Sequence, residues 1–158
     1  KHNASIVLMH MNGNPINMQK NIFYNDLIVD INNFFSNRIN EAIMQGLTKN
    51  NIIIDPGLGF GKSIKDNFKI LDNLKLFKKH MVPILIGPSR KSFLSLNNDM
   101  PEDRLPATIA ASLISFQNGA DLIRVHDVKE IKQSLDFNQK ISEPSAEFAI
   151  VMVTSNTK

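Results

Sequence analysis

Four short aliphatic runs, Ile6 to Met9, Ile52 to Ile54, Ile84 to Ile86 and Leu122 to Val125, recur about thirty to forty-five residues apart, and each is followed by a stripe of apolar residues at helical spacing. Uninterrupted runs of this length suit strands buried on both faces, as in parallel sheets. The first stripe is Leu27, Ile28, Ile31, Phe34, Phe35, Ile39, Ala42 and Ile43, with Gly46 where a C-terminal cap is expected. Phe68, Leu71, Leu74 and Phe77 form the second. Thr108 is placed to cap a third helix through Ala111 and Leu113 to Gly119, and Val128, Ile131 and Leu135 begin a fourth.

A β-α-β-α-β-α-β-α order predicts an α/β fold with a parallel sheet and right-handed crossovers, either doubly wound or a (β/α) barrel. The polar residues follow the strand ends: His10 and Asn12, then Asp55, then Ser89 to Lys91, then Arg124 and His126. Ligands bind at that face in both architectures, and functional groups spread over several strand ends are typical of barrels. A whole barrel takes about 250 residues and eight units, so four units read as half of one. At 158 residues, with 42% hydrophobic and 21% charged residues, one globular domain is expected and disorder is not.

A net charge of +3 with interspersed signs carries no nucleic-acid footprint, although an anionic small ligand fits it. Without cysteine there is no disulfide scaffold and no thiolate metal site. No apolar run reaches the ~20 residues of a membrane span, and no signal peptide opens the sequence, so a soluble cytoplasmic protein is expected. The chain starts at Lys1 and runs almost directly into a strand, which implies lost upstream sequence. Phe148 to Val153 is an apolar run beyond the fourth helix with no assigned role.

The segment IIIDPGLGFGKS, Ile52 to Ser63, ends a buried strand in a carboxylate followed by a glycine-rich turn. It is no Walker loop, because Pro56 stands where the first glycine belongs, and Asp55 would repel a phosphate. A carboxylate in an apolar pocket accepts two hydrogen bonds from an amidine-like heterocycle; alternatively Asp55 caps its own turn. ILIGPSRKSF, Ile84 to Phe93, sets two cations at the next strand end, with Gly87 permitting close backbone approach and Ser89 offering a hydroxyl, or else it is a solvated basic loop. In LIRVHDV, Leu122 to Val128, Arg124 and His126 share one strand face and suit a diphosphate, unless an acid such as Asp127 pairs with Arg124. LMHMNGNP, Leu8 to Pro15, gives Met9 and Met11 as pocket walls, and His10 has no second ligand at metal spacing.

Taken in order, LMHMNGNPINMQ, IIIDPGLGFGKS, ILIGPSRKSF and LIRVHDV resemble successive signatures of the second half of the dihydropteroate synthase family, over roughly residues 5 to 135. The resemblance implies a partial TIM (β/α)8 barrel, strands five to eight, in residues 1–138, with 139–158 a tail of unknown role. It implies a transferase of folate biosynthesis that condenses 7,8-dihydropterin-6-ylmethyl diphosphate with p-aminobenzoate and releases diphosphate, a family inhibited by sulfonamides. By motif, Asp55 would bind the pterin, with Met9 and Gly87 walling the ring. Lys91 would touch the pterin and the edge of the p-aminobenzoate site, Phe60 would pack beside p-aminobenzoate, and Ser89 would lie near its carboxylate. Arg124 and His126 would hold the diphosphate. The family's Mg2+ ligand, further pterin-binding residues and closing loops belong to a first half that this sequence lacks, and the full-length protein would be a homodimer. Pro88 and Pro106 depart from the family pattern.

Two rivals stand beside this reading: a pterin-binding methyltransferase acting on methyltetrahydrofolate, and a non-catalytic fragment that keeps the fold.

Overall fold

The structure, a computed structural model, describes residues 4–13, 18 and 22–142. The apolar run at Phe148 to Val153 lies outside the described residues. In chain order the strands, α-helices and longest 3-10 segment are β1 (Ile6–Met9), α1 (Leu27–Met44), β2 (Ile52–Asp55), α2 (Ile64–Asp72), a 3-10 segment (Leu74–His80), β3 (Leu85–Ile86), α3 (Leu105–Gln117), β4 (Leu122–Ile123) and α4 (Val128–Ser142). This is the alternating α/β order that the apolar runs predict.

The strands are parallel and neighbours in sequence order. β1 pairs with β2 from Ile6↔Ile52 to Met9↔Asp55, a bridge at Ile54↔Ile84 joins β2 to the start of β3, and β3 pairs with β4 at Leu85↔Leu122 and Ile86↔Ile123. The two-residue period of a strand then sorts the side chains. Ile52, Ile54, Ile84, Ile86 and Ile123 share one face and are buried with the helices. Val7, Met9, Asp55 and Leu85 take the other face, where Val7 is 49% exposed.

Capping and patterning set the helices. The Asp26 side chain accepts from the Ile28 and Val29 amides at 3.0 and 3.3 Å and starts α1, whose stripe Leu27, Ile28, Ile31, Phe35 and Ile39 is buried. A capping box between Ser63 and Asp66 starts α2. The second apolar stripe is not one helix. α2 stops at Asp72, and Leu74 and Phe77 continue in the 3-10 segment, where residues three apart eclipse and still bury the same face. Phe68 is instead 45% exposed and meets Phe93 edge-on at 6.0 Å.

Thr108 is not the N-cap of the third helix. α3 begins at Leu105 with Pro106 in its first turn, where a fixed φ and a missing N–H cost nothing. That leaves Thr108 fully buried one turn inside, with a free hydroxyl for another element. α4 runs to Ser142, four residues past the boundary expected at Asn138.

Candidate functional site

The β2 end and the glycine turn are built together. Asp55, 2% exposed, accepts the Gly57 amide on Oδ1 at 2.7 Å. One oxygen therefore caps the turn, as the simpler reading of the sequence had it, while Oδ2 has no hydrogen bond among the described residues. Gly57 has φ +70, and a Cβ there would fall 2.0 Å from the His10 carbonyl oxygen, so only glycine lets the β1 loop lie across this turn. The His10 amide donates to the Asp55 carbonyl at 2.8 Å and extends the β1–β2 ladder into the loops. Met9 reaches the same turn, its Cγ 3.4 Å from that Cβ position.

The β3 loop supplies the cation. Pro88 to Lys91 closes a turn through the Lys91 amide and Pro88 carbonyl at 3.2 Å, with Arg90 at φ +56. Left-handed backbone at a non-glycine residue costs about 1–3 kcal/mol and needs support. Arg90 receives it on three sides. Its amide donates to Thr108 Oγ1 at 3.1 Å, its guanidinium forks onto Asp127 at 3.1 and 2.5 Å, and its carbonyl accepts from Arg104 at 2.9 Å. The turn aims Lys91 inward, where its Nζ donates to the Leu58 carbonyl and lies 4.8 Å from the centre of the Phe60 ring.

At the β4 end, Arg124 and His126 are exposed and Val125 between them is buried, as strand alternation predicts. A Cβ at Gly87 would stand 3.3 Å from Arg124 Nε and Nη2, so the glycine gives the guanidinium its place over the β3 backbone. The proposed Arg124–Asp127 bridge does not form, because Asp127 is engaged by Arg90. No carboxylate among the described residues pairs with Arg124. Ser89 Oγ lies 2.8 Å from His126 Nδ1 and also accepts the His126 amide at 3.2 Å.

The charges act on one another. Burial pushes the Asp55 carboxyl above the usual carboxylate range, opposed by the Gly57 amide and by the cations Lys91, Arg124 and Lys62. Burial lowers the Lys91 ammonium to about 8, with Asp55 opposing and Arg124 adding to the shift. The strand ends and their turns thus bring a buried carboxylate with one open oxygen under the influence of three cations, of which the Arg124 guanidinium, like the His126 imidazole, belongs to an exposed residue.

A family described as pterin binding enzyme matches residues 1–126. The chain belongs to this pterin-binding family. It is 39% identical over 131 residues to dihydropteroate synthase of Escherichia coli (strain K12), covering 82% of this chain and 46% of that protein. With the synthase of Synechocystis sp. it shares 41% over 135 residues, covering 84% and 47%. Among solved structures, Yersinia pestis dihydropteroate synthase with a sulfonamide drug superposes with a TM-score of 0.86 at 38% identity, over 89% of this chain and 52% of that one. The Xanthomonas albilineans enzyme in complex with 7,8-dihydropteroate gives 0.81 at 36%, over 88% and 51%. The chain spans about half the length of the curated relatives it matches.

Several residues of this candidate site carry no mark in the sequence reading. Lys62, noticed only as part of a Walker-like triplet, is 3% exposed and donates to His10 Nδ1 at 3.0 Å, the His10 carbonyl at 3.3 Å and the Phe60 carbonyl at 2.9 Å. It clips the β1 loop to the glycine turn, and burial lowers its ammonium to about 7 against the pull of Asp55. His10, pushed down to about 3 by burial and then by Lys62, is a neutral acceptor here. Thr108 and the Arg90–Asp127 fork are the other two. No single-sequence signal marks any of them, since each depends on a partner 18 to 52 residues away. No group of three or more His, Cys, Asp or Glu side chains converges at metal spacing among the described residues. These residues do not fit a Mg2+ centre. No helix among them is long and apolar enough to cross a membrane.

Proposed function

We propose that this chain supplies the pterin- and diphosphate-binding half of a dihydropteroate synthase, a cytoplasmic folate-pathway transferase and sulfonamide target. The observation that carries it is the buried Asp55 with one oxygen open, within electrostatic reach of Lys91 and of Arg124, which no carboxylate among the described residues pairs. Residues 1–138 form strands five to eight of a (β/α)8 barrel, and 139–158 are a tail without an assigned role. The Mg2+ implied by the family is held by residues outside this chain, and the complete protein is a homodimer.

Asp55 Oδ2 accepts from the pterin ring and amino N–H groups, and Met9 and Gly87 wall the ring. Phe60 and Lys91 border the p-aminobenzoate site with Ser89. In the reaction the C–O bond to diphosphate breaks, a C–N bond to the amine of p-aminobenzoate forms, and the amine loses a proton. Positive charge develops on the pterin and negative charge on the departing diphosphate. The Asp55 carboxylate meets the first, and the fixed donors Arg124 and His126 meet the second without reorganising. A methyltransferase has no diphosphate to release and leaves Arg124 and His126 without a partner.

The test uses a chimera in which residues 1–138 replace the matched segment of the Escherichia coli relative. Arg124→Ala and His126→Ala should weaken binding of the pterin diphosphate far more than binding of the pterin alcohol, because only the diphosphate carries the charge they meet. Equal losses for both ligands would make the pair structural.

A further inference from the structure

Ser89 and His126 stand on adjacent strand ends and share two contacts: Oγ to the ring Nδ1 at 2.8 Å, and the His126 amide to Oγ at 3.2 Å. The amide can only donate, so Oγ is an acceptor in that contact. The hydroxyl has one proton of its own, and Ser89 is 7% exposed, with no other acceptor bonded to Oγ among the described residues. If the ring carried its proton on Nδ1, Oγ would accept twice and its own O–H would be left buried without a partner, which is unfavourable. If the proton is on Nε2, every group is met: the amide donates to Oγ and Oγ donates to Nδ1. The hydrogen bond made by one ring nitrogen decides the state of the other.

We propose that Ser89 is a positioning residue that fixes the neutral His126 ring as the Nε2–H tautomer, so that its N–H, on the edge of this exposed residue's ring away from Ser89, is a standing donor to an anion. The donor does not depend on protonating the ring. The opposite tautomer would turn a lone pair toward the same anion and repel it. The Arg90–Asp127 fork supports the arrangement by tying the turn that carries Ser89 to the residue that follows His126. A consequence follows for the second substrate. While the Ser89 proton is engaged by His126, Oγ offers a carboxylate no donor, so Lys91 is the cation left to meet it. That the anion is the diphosphate rests on the function proposed above; the tautomer does not.

The test is 15N spectroscopy of the imidazole rings in the full 158-residue chain labelled at histidine, in solution or as a hydrated sediment under magic-angle spinning, at a pH where the rings are neutral. His126→Gln assigns the signal among the four histidines. The expected spectrum has a proton coupled to Nε2 and a pyridine-type Nδ1. Ser89→Ala should mix the two tautomers, and Ser89→Thr, which keeps the hydroxyl, should restore the single form. Ser89→Ala should also weaken binding of inorganic pyrophosphate by roughly threefold to tenfold, at most ~1.4 kcal/mol. A wild-type ring protonated on Nδ1, or a Ser89→Ala ring that keeps a pure Nε2–H form, would overturn the proposal. Absence of pyrophosphate binding by the wild-type chain alongside the expected spectrum would count against the anion site of the proposed function and leave the tautomer assignment supported.

Discussion

Replacing Asp55 by Asn should separate binding from folding. The amide oxygen can take over the 2.7 Å bond from Gly57, so the turn survives, and the amide nitrogen then occupies the place of the open Oδ2. A donor there faces the donors of the pterin. The lost hydrogen bond to a charged group amounts to ~1.5–3 kcal/mol, and an unmet buried donor adds ~1–3 kcal/mol. Together, at ~2.5 kcal/mol or more, they predict binding weaker by roughly sixtyfold or more, since each ~1.4 kcal/mol is a factor of ten. Stability should instead lose a pH dependence. Burial raises the Asp55 carboxyl in the folded protein, so between its usual value and the raised one the folded state holds more protons than the unfolded state. Stability therefore falls as pH rises through that window, and above it the ionised carboxylate carries the full penalty. Asn has no ionisation there, so the melting temperature of the variant should lack the fall with pH that the wild type shows across that window. Calorimetric titration of the pterin alcohol into the chimera, with thermal melts beside it, measures both quantities. Unchanged affinity would reduce Asp55 to a turn cap, and a large loss of melting temperature would make it structural.

Lys91 gives a pH signature with two opposite limbs. Its ammonium, lowered to about 8, is the form that meets ligand, so pterin diphosphate affinity should fall as pH rises through about 8. Because its ordinary value is higher, the unfolded chain holds more protons above that point, and the unliganded protein should gain stability with pH relative to Lys91→Met. Affinity and stability that rise together across this range would refute the assignment. Lys62→Met, which removes three donor contacts between the β1 loop and the glycine turn, should lower pterin affinity more than melting temperature; equal loss of both would make the clip part of the core. The 158-residue chain alone should form no dihydropteroate and should self-associate, because β1 has an unpaired edge among the described residues and an exposed Val7 beside it. Ultracentrifugation with a product assay checks this, and a monodisperse active monomer would contradict it.

What the sequence revealed follows from the range of the interactions involved. β1 and α1 are set by local signals, an aliphatic run and a capped apolar stripe, and their limits agree with the reading. The second stripe misled because i+3 spacing serves a 3-10 segment as well as an α-helix, and the break at Asn73 comes from its side chain bonding the Lys69 carbonyl. Thr108 misled because a buried threonine inside a helix and an N-cap look alike until Pro106 is weighed as a start signal. The strand-end order of Asp55, Lys91, Arg124 and His126 was legible because parallel βα units bring those ends to one face. The pairing of Asp127 with Arg90 and not Arg124 was not, since Arg124 is only three residues away in sequence whereas Arg90 lies 37 residues away and comes within reach only through the β3–β4 pairing and the left-handed turn at Arg90.

The most direct measurement is product formation by the chimera carrying residues 1–138, assayed with pterin diphosphate and labelled p-aminobenzoate. The account predicts labelled dihydropteroate and an equal amount of diphosphate, with both lost in Asp55→Asn. A chimera that melts cooperatively and binds the pterin alcohol, yet makes no dihydropteroate under conditions where the Escherichia coli protein does, would contradict it.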